Sequence, residues 1–238
     1  MRRNPRSPRV VVSVLCILLS FALYASSALA DESMTLPNFA ARYPVLAAVG
    51  ARSSTLKGVP GDPLNLAFVG SEEDLLRLMV KAGWFPADPI TLRSSLRIAM
   101  DSIVRRPYVD APVSSLYIQG RKQDFAFEQP AANNPSRRHH VRFWRLAADA
   151  QGRVQWMGAA TYDVSIGFSH TNGHVTHHID ADIDSERDKL LADVQRVGMQ
   201  VAWVDGFQPA RIGRNGGGDP FHTDGRLALI VIAASAEP

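Results

Sequence analysis

Three stretches of the chain place apolar residues at the three- and four-residue spacing of an amphipathic helix. The pattern predicts helices over residues 72–82, 92–104 and 185–197. Ser71 followed by Asp74 is a capping-box pattern in front of the first helix, and Asp184 is the expected N-cap of the last. Gly83 and Gly198 follow these two helices, at the position where glycine commonly ends a helix.

Between and after these helices the apolar residues alternate with polar ones, which is typical of strands in a sheet. Strands are expected over residues 64–69, 115–118, 124–127, 141–146, 154–160, 162–168, 199–204 and 227–232. The order of elements predicts an α+β fold, with a mostly antiparallel mixed sheet covered by about three helices. Residues 64–238 would form this single domain, and the Pro-, Gly- and Ser-rich residues 31–63 an irregular leader on its surface.

The first thirty residues are typical of a secretory signal peptide. A basic start precedes an apolar run over residues 10–23, and Ala28-Leu29-Ala30 matches a cleavage pattern. We therefore expect export by a signal peptide over residues 1–30 and a periplasmic or secreted protein. The alternative is an uncleaved helix that anchors the domain to the membrane.

Removing this segment changes the charge of the chain. Four of its 26 basic residues lie there and none of its 23 acidic ones, so the remainder has 22 basic against 23 acidic residues. A near-neutral domain gives no support to nucleic-acid binding. The single cysteine, Cys16, also lies in the segment, so the exported domain is expected to fold without disulfides.

A hairpin around Asn172-Gly173 is the strongest local prediction, because this dipeptide favours a two-residue type I′ turn. Such a turn pairs Thr171 with His174, Phe168 with His177, Ile166 with Ile179 and Val164 with Ala181. One face of the hairpin then carries Asp163, Ser165, Gly167, His178, Asp180 and Asp182. Carboxylates facing each other repel unless a cation lies between them.

This face predicts a site for a divalent metal ion of unspecified identity, with Asp163, His178, Asp180 and Asp182 as its ligands. The alternative is a solvated face, or one neutralised by arginines. All seven histidines lie between His139 and His222, which points to the same half of the chain for any chemistry.

Two further motifs carry candidate chemistry. Residues 137–145 alternate arginines and histidines with aromatic residues, and His140 and Arg142 would point to the same side of a strand. Arginine suits the binding of phosphate or carboxylate, although these groups could equally neutralise the acidic hairpin. Residues 213–226 form a glycine-rich loop with Arg214, which either covers the site or is a plain surface turn.

Several ordered motifs resemble the LssY C-terminal domain family. They lie at residues 111–117, 120–128, 138–145, 158–163, 176–182, 186–188, 213–215 and 218–226. The resemblance covers roughly residues 64–232. It implies a bacterial envelope protein, since domains of this family are often attached to membrane segments of the DedA or phosphatidic-acid-phosphatase kind and are labelled as type I secretion components. It assigns no catalytic residues.

Two classes of function follow. The first is a metal-assisted hydrolase of phosphoester-type substrates, and the second is a non-catalytic binding or accessory module of an envelope or secretion system. The candidate catalytic residues are His140, Arg142, Asp163, His178 and Arg214. Expected partners are an anionic or phosphorylated envelope ligand and membrane proteins, with no nucleic acid; the sequence leaves the oligomeric state open.

Overall fold

A computed structural model describes residues 32–87, 115–131, 137–171, 173 and 175–232. The helices are α1 (Leu36–Arg42), α2 (Pro44–Ala47), α3 (Glu72–Lys81) and α4 (Ile183–Arg196). The strands before residue 131 are β1 (Glu32–Thr35), β2 (Arg52–Ser54), β3 (Pro60–Pro63), β4 (Leu66–Val69), β5 (Phe85–Pro86), β6 (Tyr117–Ile118), β7 (Arg121–Lys122) and β8 (Phe125–Pro130). The later strands are β9 (Arg138–Ala148), β10 (Val154–Phe168), β11 (Val175–Ile179), β12 (Val201–Asp205), β13 (Ile212–Arg214), β14 (Pro220–His222) and β15 (Leu227–Val231).

Nine strands form one mixed sheet in the order β1-β12-β15-β4-β10-β9-β8-β5, and β11 pairs with the outer part of β10. The β1–β12 and β15–β4 pairs are parallel, and the other neighbours in this sheet are antiparallel. The fifteen-residue strand β10 is longer than its neighbour β4 and pairs with it only at Gln155 to Gly158. We call residues 159–168 the free half of β10, because β4 does not pair with them. From Asp163 to Phe168 this half pairs with β11 instead.

Successive residues of a strand point to opposite sides of the sheet. In the central strands the residues on both sides are buried. Leu66 and Phe68 of β4 pack with the apolar sides of α3 and α4 in one cluster. Ala67 and Val69 pack in a second cluster with α1 and α2, around Phe39. The central strands accordingly lie between two hydrophobic cores.

Two small sheets surround the free half of β10. The strands β3-β2-β6-β7 form one of them, and β13-β14 form the other. They bring Asp62 of β3 and the loop between β13 and β14 to the same end of the large sheet as β11.

The mixed sheet and most of the predicted elements are confirmed. The α3 helix has its full capping box at Ser71 and Asp74, and the strands at residues 154–160 and 162–168 are one continuous strand. The last helix begins two residues earlier than predicted, with Asp182 rather than Asp184 as its N-cap. The expectation of three covering helices is wrong in arrangement: the described residues are rich in strands and hold four helices, two on each face.

The expected leader is also different from the prediction. Residues 32–63 form β1, α1, α2, β2 and β3, and Phe39, Tyr43 and Leu46 are fully buried. Both short helices have proline in their first turn, a position that favours helix initiation. Proline in this segment therefore marks the start of helices and not a loop. Residues 32–63 lie in the same compact unit as the other described residues, so this segment belongs to the domain.

The predicted helix at residues 92–104 and the predicted signal peptide at residues 1–30 lie outside the described residues. Within the described ranges, no helix is both long and apolar enough to cross a membrane.

Candidate functional site

A cavity of about 170 Å³ lies beside the free half of β10. We call it the central cavity. Its polar wall comes from four strands and a loop, and it consists of Asp62 (β3), Arg142 (β9), Thr161 and Asp163 (β10), His177 (β11) and Asn215 to Gly217 (the β13–β14 loop). Such a convergence of buried polar groups from separate elements is typical of a ligand site.

The strand alternation places these side chains. His140 pairs with Thr161 across β9 and β10, and Arg142 lies two residues further along β9. Thr161 and Asp163 share one face of β10 for the same reason. The prediction that His140 and Arg142 point to the same side is consistent with their contacts, since both face carboxylates at this end of the sheet.

Asp163 lies between two imidazoles. Its Oδ2 atom is 3.1 Å from Nδ1 of His140 and 3.3 Å from Nδ1 of His177. Asp163 and His140 are 3% and 2% exposed, so this contact is shielded from water. Burial alone would lower the pKa of His140, but the carboxylates of Asp163 and Glu128 outweigh burial and raise it. The cationic form of His140 is therefore favoured beside Asp163.

A second buried carboxylate, Asp62, faces Arg142. Nη1 of Arg142 lies 3.3 Å from Oδ2 of Asp62, and Nδ2 of Asn215 donates to Oδ1 at 3.4 Å. Burial raises the pKa of Asp62, with the nearby charge of Asp163 acting in the same direction, and Arg142 only partly offsets this. The two carboxylates thus have different surroundings: burial raises the pKa of Asp62, whereas Asp163 lies beside an imidazole whose pKa it raises.

Several buried polar atoms at this site make no hydrogen bond of good geometry within the described structure. They are Nε of Arg142, Oγ1 of Thr161, Oδ2 of Asp163 and both ring nitrogens of His140. The His140 and Asp163 atoms are close enough for an ion pair but poorly aligned for a hydrogen bond, and we regard the contact as electrostatic. An unpaired buried polar atom costs about 1–3 kcal/mol, so water or a polar ligand in the cavity would stabilise these groups.

The glycine-rich loop completes the wall. Oδ1 of Asn215 accepts hydrogen bonds from the backbone N–H groups of Gly217 and Asp219, at 3.0 and 2.9 Å. Gly218 has φ of +90°, a conformation that favours glycine. Arg214 does not line the cavity: its side chain is turned to the loop, where Nη1 donates to the carbonyl oxygen of Gly218 at 2.7 Å.

The predicted register of the hairpin is wrong. Phe168 pairs with Val175 and Ile166 with His177, so the connection is four residues longer than a two-residue turn. Ser169 and Thr171 donate from their hydroxyls to carbonyl oxygens of Gly217 and Gly216, and these bonds hold the connection against the glycine-rich loop instead of in a tight turn. A bulge between Asp163 and Ser165 then changes which side of the sheet the side chains at this end of the hairpin face.

The four predicted metal ligands are consequently not brought together. Asp163 lies in the central cavity, while His178 contacts Asp219, with Nδ1 to Oδ1 at 2.6 Å. Asp180 is exposed and accepts a hydrogen bond from the backbone of Asp182 at 2.9 Å. Asp182 is the N-cap of α4, accepting from the backbone N–H groups of Asp184 and Ser185.

The structure adds residues that the sequence did not point to. Asp62 lies in the expected leader, and the predicted register pairs His177 with Phe168, away from the face that carries Asp163. In the structure His177 pairs with Ile166, and Phe168 is 70% exposed. Asp219 directly follows the glycine run at residues 216–218, and an acidic residue ending such a run is the signal that could have identified it.

A family model described as LssY C-terminus matches residues 43–227. The match includes every residue of the central cavity from Asp62 to Gly217, and it begins in the segment that was expected to be a leader. No curated protein and no solved structure matches the chain.

Proposed function

The chain belongs to the LssY C-terminus family, and we propose that its domain is a hydrolase that cleaves a phosphoester-type substrate in the central cavity. The observation that carries the proposal is the position of Asp163, a buried carboxylate between two imidazoles and beside an arginine whose Nε has no partner. Buried ionisable groups around a cavity are a common feature of active sites.

Arg142 is the proposed binding group for the substrate oxyanion. Its Nη1 is already paired with Asp62, whereas its buried Nε has an unused hydrogen. A phosphoryl oxygen would satisfy that donor, and a guanidinium in a dry site stabilises negative charge that develops during reaction. The amide of Asn215 adds a neutral donor near Asp62.

Asp163 and Asp62 are the proposed base and acid. Asp163 would accept a proton from the attacking water, with His140 and His177 fixing the carboxylate on either side. Asp62, whose pKa burial raises, would donate a proton to the leaving oxygen. The raised pKa values of Asp62 and His140 both reduce the net negative charge that an anionic substrate meets in the cavity.

The proposal is tested on the purified chain with a panel of chromogenic phosphomonoesters and phosphodiesters. Asp163→Asn should lower kcat/KM by about 10²–10⁴-fold, since it removes the base while preserving the size of the side chain. Asp180→Asn, an exposed carboxylate outside the cavity, should leave kcat/KM unchanged. An inert wild-type chain, with or without added divalent metal, would contradict the hydrolase.

The same panel separates catalysis from simple binding. Calorimetry with inorganic phosphate measures whether the cavity holds the anion at all. Tight phosphate binding that is lost in Arg142→Met, combined with no turnover of any ester, would favour the non-catalytic binding module.

We further propose that the domain acts outside the cytoplasm, on an anionic envelope ligand and near membrane-protein partners. The support is the signal-peptide pattern at residues 1–30. Cell fractionation and N-terminal sequencing of the exported chain test it, with a new N-terminus at Asp31 expected. Recovery only from the cytoplasm with an intact N-terminus would contradict export, and recovery from the membrane with residues 1–30 retained would indicate the anchor.

A further inference from the structure

A second cluster lies on the other side of β11 from the central cavity. His170 follows β10, His178 is on β11 and Asp219 ends the glycine-rich loop. One ligand atom from each of the three lies within 4.8 Å of those of the other two. Oδ1 of Asp219 is 2.6 Å from Nδ1 of His178 and 3.7 Å from Nε2 of His170.

The backbone is built to admit the two imidazoles. A Cβ atom on Gly167 would lie 2.6 Å from Nε2 of His178, and one on Gly218 would lie 2.7 Å from Cβ of His170. Both distances are too short for any non-glycine residue without displacement of the histidine. Gly167 therefore leaves the space that the ring of His178 occupies, and Gly218 leaves the space for Cβ of His170. The two ring centroids are 5.1 Å apart.

The carboxylate is fixed independently of the histidines. Oδ2 of Asp219 accepts a hydrogen bond from the backbone N–H of Ile179 at 3.3 Å. The backbone N–H of Asp219 donates to Oδ1 of Asn215 at 2.9 Å. Asp219 is 3% exposed, and Oδ1 is left to face both rings. A ligand carboxylate whose second oxygen is held by a hydrogen bond is the usual arrangement in metal sites.

We propose that His170, His178 and Asp219 bind a zinc-type divalent metal ion. Two imidazoles and one carboxylate are a donor set that zinc accepts, leaving a fourth tetrahedral position for water or another ligand. Ligands at about 2.0–2.2 Å from a tetrahedral zinc lie roughly 3.4 Å from each other. Nε2 of His170 is close to this separation from Oδ1 of Asp219, at 3.7 Å, and His170, with a side chain that is 64% exposed, is free to adjust. The 2.6 Å contact between His178 and Asp219 is a hydrogen bond, which the ion would replace as it takes the position of the shared proton.

The site does not depend on the proposed hydrolase. A bound metal ion would join the connection after β10 to the glycine-rich loop. These two segments already contact each other, because the N–H of His170 donates to the carbonyl oxygen of Gly217 at 2.9 Å. Because Ser169, Gly216 and Gly217 line the central cavity, bound metal would also hold one wall of that cavity in place.

The test is metal binding alone. The full-length chain is stripped with a chelator, and zinc binding is measured by calorimetry and by the visible spectrum of the cobalt-substituted protein. One ion per chain is expected for the wild type, with affinity reduced at least about tenfold in His170→Ala and Asp219→Asn. His222→Ala removes an exposed histidine outside the cluster and should bind as the wild type does.

His170→Ala is the decisive variant, because its side chain is mostly exposed and its loss should not impair folding. Added zinc should raise the Tm of the wild type and of His222→Ala, and should have little effect on His170→Ala. A wild type without zinc binding in the micromolar range, or equal affinity in His170→Ala and His222→Ala, would overturn the site. Either result is independent of whether the chain hydrolyses any ester.

Discussion

Three buried carboxylates of the described residues each lie against a specific basic partner. Asp62 faces Arg142, Asp163 faces His140, and Glu186 of α4 faces His139. Isolated charges in such places would cost several kcal/mol, so the fold tolerates them only as pairs. A domain selected for stability alone would replace them by apolar residues, which favours a functional reason for keeping them.

At Glu186 the energetic effect of burying a carboxylate beside a basic partner can be measured. It is 2% exposed, and one of its oxygens lies 2.7 Å from Nδ1 of His139. Burial raises the pKa of Glu186 to about 6, against the opposing effects of His139, Lys189 and His140. The folded state then binds a proton more tightly than the unfolded chain, so the stability from protonation is complete below about pH 4.5 and is lost as the pH rises through about 6.

We therefore expect Glu186→Gln to gain about 2 kcal/mol of unfolding free energy relative to the wild type between pH 4.5 and pH 7. Urea unfolding at several pH values across this interval measures it. Glu73→Gln, an exposed carboxylate at the start of α3, controls for the loss of one negative charge. A constant difference between Glu186→Gln and the wild type across the interval would show that the pKa of Glu186 is not raised.

At the scale of single residues, alternation along a strand was a sufficient guide where a strand is long and paired on both sides. It singled out His140, Arg142 and Asp163 as candidate site residues, and the structure places all three close together. It could not find Asp62, because nothing local relates β3 to β9, eighty residues away. Contacts of that range depend on the whole topology and leave no periodic signal.

The start of α4 is an element whose sequence admitted two interpretations. Asp180, Asp182 and Asp184 alternate, as metal ligands on a strand would, but they also precede an amphipathic helix. In the structure the chain leaves β11 at Ile179, and Asp182 caps the helix, with its Oδ2 2.7 Å from the hydroxyl of Ser185. The hydrogen bond from Ser185 is the main reason why the pKa of Asp182 is lowered.

Capping and metal binding predict different effects of substitution at Asp182. Asn is as good an N-cap as Asp, whereas Ala removes the acceptor. We expect Asp182→Ala to lower the free energy of unfolding by about 1 kcal/mol and Asp182→Asn to leave it nearly unchanged. Ser71→Ala at the cap of α3 should show a loss comparable to that of Asp182→Ala.

Chemical denaturation of the three variants beside the wild type checks this. If Asp182→Asn proves as destabilising as Asp182→Ala, the charge of Asp182 is needed rather than its capping oxygen, and the predicted role as a metal ligand regains support.

The hairpin shows why element-scale prediction failed locally. A two-residue turn at Asn172-Gly173 is favoured by local backbone energetics. The observed connection instead exchanges hydrogen bonds with the glycine-rich loop, forty-five residues further along the chain. Tertiary contacts outweighed the turn preference, and the resulting shift of two residues with a bulge redistributed the polar side chains between two sites.

On the scale of the whole molecule, the sheet is buried on both sides, and burial of the second side depends on residues 32–63. Phe39 of α1 packs against Tyr43 and Phe207, with ring centroids 5.7 and 6.0 Å apart. These residues share a cluster with Ala67, which lies on the reverse side of the strand that carries Leu66. Residues 32–63 are thus required to close the core, a role that a surface leader would not have.

Phe39→Ala distinguishes these two roles. For a fully buried phenylalanine the change should cost about 3–5 kcal/mol, whereas on a surface leader it would cost less than about 1 kcal/mol. Leu36→Ala, in the same helix but 38% exposed, should have a small effect, and Phe39→Leu keeps the comparison measurable if the alanine variant unfolds.

Because both clusters share one sheet, urea unfolding followed by tryptophan fluorescence and by far-UV circular dichroism should give coincident midpoints in every variant. A loss below about 1 kcal/mol in Phe39→Ala, or separate midpoints for the two probes, would mean that residues 32–63 form no integral part of the core.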